Sequence, residues 1–188
     1  ELRATVARHR GAGEQVAISD FDLSGNPISA GQFELIFAAL RELNVRVERL
    51  RLYGCPALDD EVAQKLADFL RCVDPRNAPL ELHLSDCAIT TCGFEALMES
   101  ITGSPAFPYV HPRTKQPLPL YLRLENNYID AGALQRQLEA PAIQTFQKVG
   151  KRWSVPPRDP GTKVRLLVHA DGTCQQHSRS GRARPRPA

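Results

Sequence analysis

Leu82-His83-Leu84-Ser85-Asp86-Cys87-Ala88-Ile89, followed by Thr90-Thr91-Cys92-Gly93 and the apolar run from Phe94 to Ile101, decides the architecture of this chain. Leu82 and Leu84 alternate with His83 and Ser85, so one strand face is apolar, and the change to helical spacing at Phe94, Leu97, Met98 and Ile101 marks a helix. The passage reads as strand, tight turn, helix. It recurs at Phe21 to Ile28, Leu50 to Cys55 and Leu122 to Ile129, each time with a helical pattern behind it.

The intervals between recurrences organise the rest of the chain. Leu23 to Leu52 is 29 residues, Leu52 to Leu84 is 32, and Leu84 to Leu124 is 40. The excess in the last interval is 103–119, GSPAFPYVHPRTKQPLP. Its prolines predict an extended loop that cannot join a sheet interior. Long loops on rigid scaffolds often carry function, so Phe107, Tyr109, His111, Arg113 and Lys115 form a candidate partner-binding loop.

In the first unit Phe21 and Leu23 point inward, and Phe33, Ile36, Phe37, Leu40 and Leu43 form the buried stripe of a helix over about 31–43. The second unit turns at Cys55-Pro56-Ala57-Leu58, one residue longer than its neighbours, and Asp59 and Asp60 suit a helix start. The fourth runs from Leu120 to about Val149; Asp130 can cap its helix, and Pro141 must break or kink it after Leu134 and Leu138. Trp153 to Gly161 reads as a connector. Val164, Leu166 and Val168 then alternate with Arg165, Leu167 and His169, which predicts a fifth strand closing the sheet, stopped by a turn at Asp171-Gly172. Residues 1–15 read as a leader or the end of a preceding element, 16–170 as the repeat domain, and 171–188 as a tail. That tail holds Arg179, Arg182, Arg184 and Arg186 and no acidic residue after Asp171, and its composition predicts disorder.

The formal charge of +3 rests on those four arginines, without which the remainder carries −1. No apolar run reaches membrane-spanning length, so no membrane insertion is expected. The chain begins at Glu1 and its only methionine is Met98, which reads as an excerpt of a longer chain. Five cysteines, an odd number without a disulfide-framework layout, point to reduced thiols and an intracellular, reducing compartment. Cys55 and Cys87 fill the turn position held by Asn26 and Asn127, where a small polar side chain caps the backbone. With no CxxC pair, no metal is expected.

The spacing resembles the ribonuclease-inhibitor-like subclass of leucine-rich repeat proteins. Three features carry the match: the LxLxxN or LxLxxC core at Leu23 to Asn26, Leu52 to Cys55, Leu84 to Cys87 and Leu124 to Asn127; the following Ile28, Leu58, Ile89 and Ile129; and the glycines Gly31, Gly93 and Gly132 at helix starts. The resemblance implies an α/β fold: a short leucine-rich-repeat solenoid whose concave parallel sheet of four or five strands is backed by convex α-helices. It also implies that residues between the core leucines line the concave face. Those are Asp22 and Ser24; Arg49, Arg51 and Tyr53; Glu81, His83 and Ser85; Tyr121, Arg123 and Glu125; then Lys163, Arg165 and His169.

That face leans basic, and Arg49, Arg51, Tyr53, His83, Tyr121, Arg123 and Arg165 are its candidate partner-binding residues. No convergent nucleophile, base and metal set marks an enzyme, and neither a cofactor nor a small-molecule substrate is expected. The reading is a non-catalytic scaffold for protein partners, as a module of a longer chain or a subunit of a larger assembly. The alternative is an RNA-binding module using the basic face, the Pro-rich loop and the Arg tail.

Overall fold

The computed structural model describes Ala4, Val6, 16–149, 152–154, Asp159, 161–169 and 172–174. The expected tail beyond Cys174, and the expected leader apart from Ala4 and Val6, lie outside the described residues.

Each strand–turn–helix passage forms where the spacing predicts. β1 (Ala17–Asp22) leads to α1 (Ala30–Glu42), β2 (Arg46–Arg51) to α2 (Asp60–Arg71), and β3 (Glu81–His83) to α3 (Thr91–Gly103). A short ribbon of β4 (Tyr109–Val110) and β5 (Pro117–Leu118) follows, then β6 (Leu120–Arg123) and α4 (Ala131–Leu138). The chain continues through β7 (Ile143–Val149), β8 (Arg152–Ser154) and β9 (Val164–Val168).

Local chemistry starts and stops these helices. Ser29 and Gln32 form a reciprocal capping box at α1, while Asp59, Thr90 and Asp130 accept from the first free amides of α2, α3 and α4. Helix α4 ends at Leu138, ahead of Pro141, so of the break or kink expected there the structure shows the break. Adjacent helices are tied at their starts as well. Asp60 Oδ1 accepts from Thr90 N at 2.8 Å and Gly93 N at 3.0 Å, so the carboxylate of α2 caps α3. Gly93 permits that approach: a Cβ there would stand 2.5 Å from Asp60 Oδ1 and 2.9 Å from Ala63 Cβ.

The turns after the strands stack on one another. Gly25, Gly54, Asp86 and Asn126 all hold φ between 58° and 68°, the left-handed region that glycine, asparagine and aspartate reach at least cost. Each is followed by the small polar residue that closes the turn. Cys55 Sγ donates to Leu23 O at 3.3 Å, Cys87 Sγ to Leu52 O at 3.3 Å, and Asn127 Nδ2 to Leu84 O at 2.8 Å. In the second, third and fourth turns this side chain therefore reaches a carbonyl of the unit before its own. The longer turn at Cys55 is also present, closed by Leu58 N donating to Cys55 O.

β1, β2, β3, β6, β9 and β7 pair in parallel, in that order, and β8 adds antiparallel beyond β7. The expectation of four or five strands is corrected here. Val164–Val168 does pair with β6, but it does not close the sheet, because β7 lies on its other side. The stretch 143–149, read as the remainder of the fourth helical unit, is a strand, and Trp153 sits in β8 rather than in a connector. The physical reason lies in β9, where Val164, Leu166, Leu167 and Val168 are all buried. A strand apolar on both faces belongs in a sheet interior. The turn expected after it forms, with Gly172 at φ 78° and Gly172 N donating to His169 O.

The core lies on the face that carries the recurring leucines. Leu50, Leu52, Leu82, Leu84, Leu122 and Leu124 are 0–1% exposed and pack in one cluster with Phe33, Leu66 and Phe94 of the helices. Truncating one of these leucines to alanine costs about 2–5 kcal/mol. The opposite face of β1, β2, β3 and β6 is partly open. No helix among the described residues is long and apolar enough to cross a membrane.

Candidate functional site: the open face of the sheet

Parallel register sets the residues between the core leucines into rows. One row runs Asp20, Arg49, Glu81, Tyr121, Arg165 and Gln144; the next runs Asp22, Arg51, His83, Arg123, Leu167 and Phe146. Toward the turns a third row holds Ser24, Tyr53, Ser85 and Glu125. Arg49, Arg51, Tyr53, His83, Tyr121, Arg123 and Arg165 thus come from four strands to one surface, which is where the sequence expected them to converge.

Their charge is compensated within the face. Arg49 Nε donates to Glu81 Oε2 at 2.8 Å and its guanidinium lies 3.5 Å from Asp20. Arg51 pairs with Asp20 and, at 3.5 Å, with Asp22. Arg123 donates to Glu125 Oε1 at 3.0 Å, and Ser85 Oγ donates to Glu125 Oε2 at 2.6 Å. The expectation of a face that leans basic is therefore corrected: four arginines stand among four carboxylates. Asp20 is a face residue that the repeat pattern alone did not single out. The alternation Asp20-Phe21-Asp22 is the signal for it.

The centre of the face is aromatic. Tyr53, 40% exposed, stacks on His83 with ring centroids 4.6 Å apart, and Tyr121 meets Phe146 at 4.8 Å. Burial, then the neighbouring Arg123, holds the His83 imidazole below its usual pKa, so it is neutral at pH 7 and presents an uncharged ring. Burial also raises the Tyr121 phenol. Beneath them Glu125 and Ser85 are 8% and 2% exposed, a carboxylate kept in place by Arg123 and a hydroxyl. The Ser85 hydroxyl donates its hydrogen bond to that carboxylate, and among the described residues no histidine nitrogen bonds it. Phe146 and Leu167 were not legible as face residues. Phe146 lies in a stretch whose pattern suggests helix, and Leu167 occupies what reads as an outward position of an edge strand.

Lys163 leaves the face it was assigned to. Its Nζ donates to Thr102 O at 2.5 Å and Ser104 O at 3.1 Å, which places its charge at the carbonyl end of α3.

The 103–119 segment is an anchored ribbon rather than a free loop, with Tyr109 paired to Leu118 and Val110 to Pro117. Phe107 and Tyr109 are 2% and 4% exposed, so they hold the ribbon to the core and are not available to a partner. The Arg46 guanidinium lies 4.4 Å from the Tyr109 ring centroid. His111 Nδ1 accepts from Arg113 N and Thr114 N and shapes the tip. Arg113 and Lys115 remain exposed there. Through Arg46 the ribbon meets the strands at their N-terminal ends, whereas Tyr53, Ser85 and Glu125 lie beyond their C-terminal ends. Loop and face are separate surfaces.

All five cysteines are free thiols, with Cys55, Cys87 and Cys174 buried and Cys72 and Cys92 exposed. Burial pushes the Cys87 thiol up to about 12. Among the described residues no group of three or more His, Cys, Asp or Glu side chains is placed to hold a metal ion.

No protein-family model matches this chain, and no curated protein matches it. Among solved structures it is similar to one titled leiomodin-1 actin-binding site 2, at 17% identity and a TM-score of 0.48, over 64% of this chain and 62% of that one. The chain thus spans less than two thirds of that neighbour's length.

Proposed function

We propose that this chain is a leucine-rich-repeat scaffold of the ribonuclease-inhibitor-like kind that binds a protein partner across the open face of its sheet. It acts as a module of a longer chain or a subunit of a larger assembly and performs no catalysis. The observation that carries the reading is the face itself: Tyr53, His83, Tyr121 and Arg123 side by side on a rigid parallel sheet, half-exposed, with the surrounding charges already paired. Aromatic and arginine side chains over a fixed base are what protein interfaces use as anchors. The stacked turns and the strand–turn–helix recurrence support the solenoid assignment. The exposed Arg113 and Lys115 at the ribbon tip are a second, peripheral contact.

The RNA alternative draws less support. A polyanion would have to displace Asp20, Asp22, Glu81 and Glu125 from the arginines it needs. The two readings separate in one experiment: affinity capture by the full chain from lysate of its source cell, with and without ribonuclease, beside a Tyr53→Ser/Tyr121→Ser variant checked for native folding. A stoichiometric protein that survives nuclease and is lost with the variant supports the proposal. Retention by the variant, or loss on nuclease treatment, overturns it.

A further inference from the structure

Three junctions between neighbouring units show how one strand–turn–helix unit seats the next. In the second to fourth units the paired leucines of the strand are 0–1% exposed, and the turn residue donates to a carbonyl of the strand before it. Among the described residues the first unit has the same parts without that neighbour. β1 is the outer strand of the sheet. Phe21, Leu23 and Ile28, the counterparts of fully buried side chains in later units, are only half-buried, and eight of the fifteen part-buried apolar residues around the core fall within 16–43. Asn26, at the place of Asn127, makes both its Nδ2 bonds inside its own turn, to Leu23 O at 3.0 Å and Ser24 O at 3.1 Å. Val6 is helical and joins the core, but among the described residues nothing pairs with the outer edge of β1.

The same edge specifies the chemistry of what would complete it. Among the described residues, Asp20 and Asp22, with side chains 37% and 45% exposed, take their guanidinium partners from β2 alone, which leaves their outer flank for a second cation. On its inner side β1 meets Arg49-Leu50-Arg51-Leu52, basic residues on the open face alternating with leucines in the core. Pairing of β1 with a copy of itself across a two-fold axis runs antiparallel and sets these aspartates against their own copies, which is repulsive.

We infer that β1 is a strand-addition site for an extended segment of a partner protein. The segment pairs in parallel, with aliphatic residues at two alternate positions beside Phe21 and Leu23 and lysine or arginine beside Asp20 and Asp22. Backbone bonds to the exposed edge supply affinity and the alternating side chains supply selectivity. This edge adjoins the open face at Asp20 and Asp22, while the aromatic centre of that face lies farther along the sheet at Tyr53, His83, Tyr121 and Phe146.

The probe is an acetylated peptide copy of residues 46–54, RVERLRLYG, added to the full chain while amide hydrogen exchange is followed. Exchange of β1 amides slows at least tenfold, while β3 and β6 amides keep the protection that reports an intact fold. The same peptide N-methylated at Leu50 and Leu52 has no such effect; Leu52 N donates to the next strand at His83 O in the native sheet, and the corresponding donor must reach β1. An Asp20→Asn/Asp22→Asn variant weakens the peptide's effect, and a Tyr121→Ser variant leaves it unchanged. Absence of slowing, equal slowing by the N-methylated peptide, or slowing that appears with rising protein concentration and no peptide overturns the inference; the last result makes a second copy the occupant.

Discussion

Replacing Asn127 by alanine removes the side chain that ties the fourth unit to the third. Asn127 is fully buried; its Nδ2 donates to Leu84 O at 2.8 Å and Leu124 O at 2.9 Å, and its Oδ1 accepts from Ile89 N at 3.1 Å. Alanine leaves three buried backbone groups without this partner. At about 1–3 kcal/mol for each group left unsatisfied, and allowing for partial relaxation within one network, the loss is about 3–5 kcal/mol. With a urea m-value of about 2 kcal/mol per molar, the midpoint of unfolding falls by about 2 M. Asn127→Cys recovers about 1 kcal/mol of that, because a thiol can donate to Leu84 O as Cys87 does to Leu52 O but cannot replace the acceptor for Ile89 N. Asn26→Ala, which removes an exposed side chain bonded only within its own turn, costs below about 1 kcal/mol. Urea melts of the three variants monitored by circular dichroism decide the matter. A loss under about 1 kcal/mol at Asn127, or equal losses at Asn127 and Asn26, refutes the claim that these side chains bind one unit to the next.

Gly93→Ala forces a Cβ against Asp60 Oδ1 and Ala63 Cβ and lowers stability by about 2–3 kcal/mol, whereas Gly31→Ala, with no atom within 4 Å, is neutral or slightly stabilising; thermal melts separate the two. A thiol-disulfide reagent at neutral pH titrates two cysteines rapidly, Cys72 and Cys92, and all five only after denaturation, since burial keeps Cys55, Cys87 and Cys174 out of reach and holds Cys87 protonated. His83 has a folded pKa below 6.5, so the unfolded chain takes up the proton first. Stability from this residue is full above that value and falls as pH drops below it, and a His83→Gln variant loses that part of the pH dependence in urea melts between pH 7 and 5. The lowered pKa values of Asp22 and Asp74 act only at more acidic pH and leave that window clear.

The strand–turn–helix recurrence was legible in the sequence because it depends on local chemistry. Alternation at Leu82 and Leu84, helical spacing from Phe94, caps at Asp59 and Asp130 and the stop at Pro141 are read from a dozen neighbouring residues and form as read. The turns carry a further local signal: Gly25, Gly54, Asp86 and Asn126 occupy the left-handed position in each, and each belongs to a residue type that tolerates it. Parallel stacking then converts a one-dimensional repeat into rows, which is why the members of the open face could be named before their partners were.

What the sequence could not give was anything that joins residues far apart in the chain. The arginines suggested a basic surface because Asp20 and Glu81 sit about 30 residues from the guanidiniums they neutralise, and pairing is settled by register, not composition. Phe107 and Tyr109 suggested loop contacts because proline density predicts an extended segment, while their burial depends on the core surface that waits beneath them. β9 was expected to close the sheet and β7 lies beyond it instead for the same reason: a local pattern specifies a strand but not its neighbours. Only tertiary structure decided that β9 is interior, since a strand apolar on both faces is stable only when other strands flank it and both faces are covered.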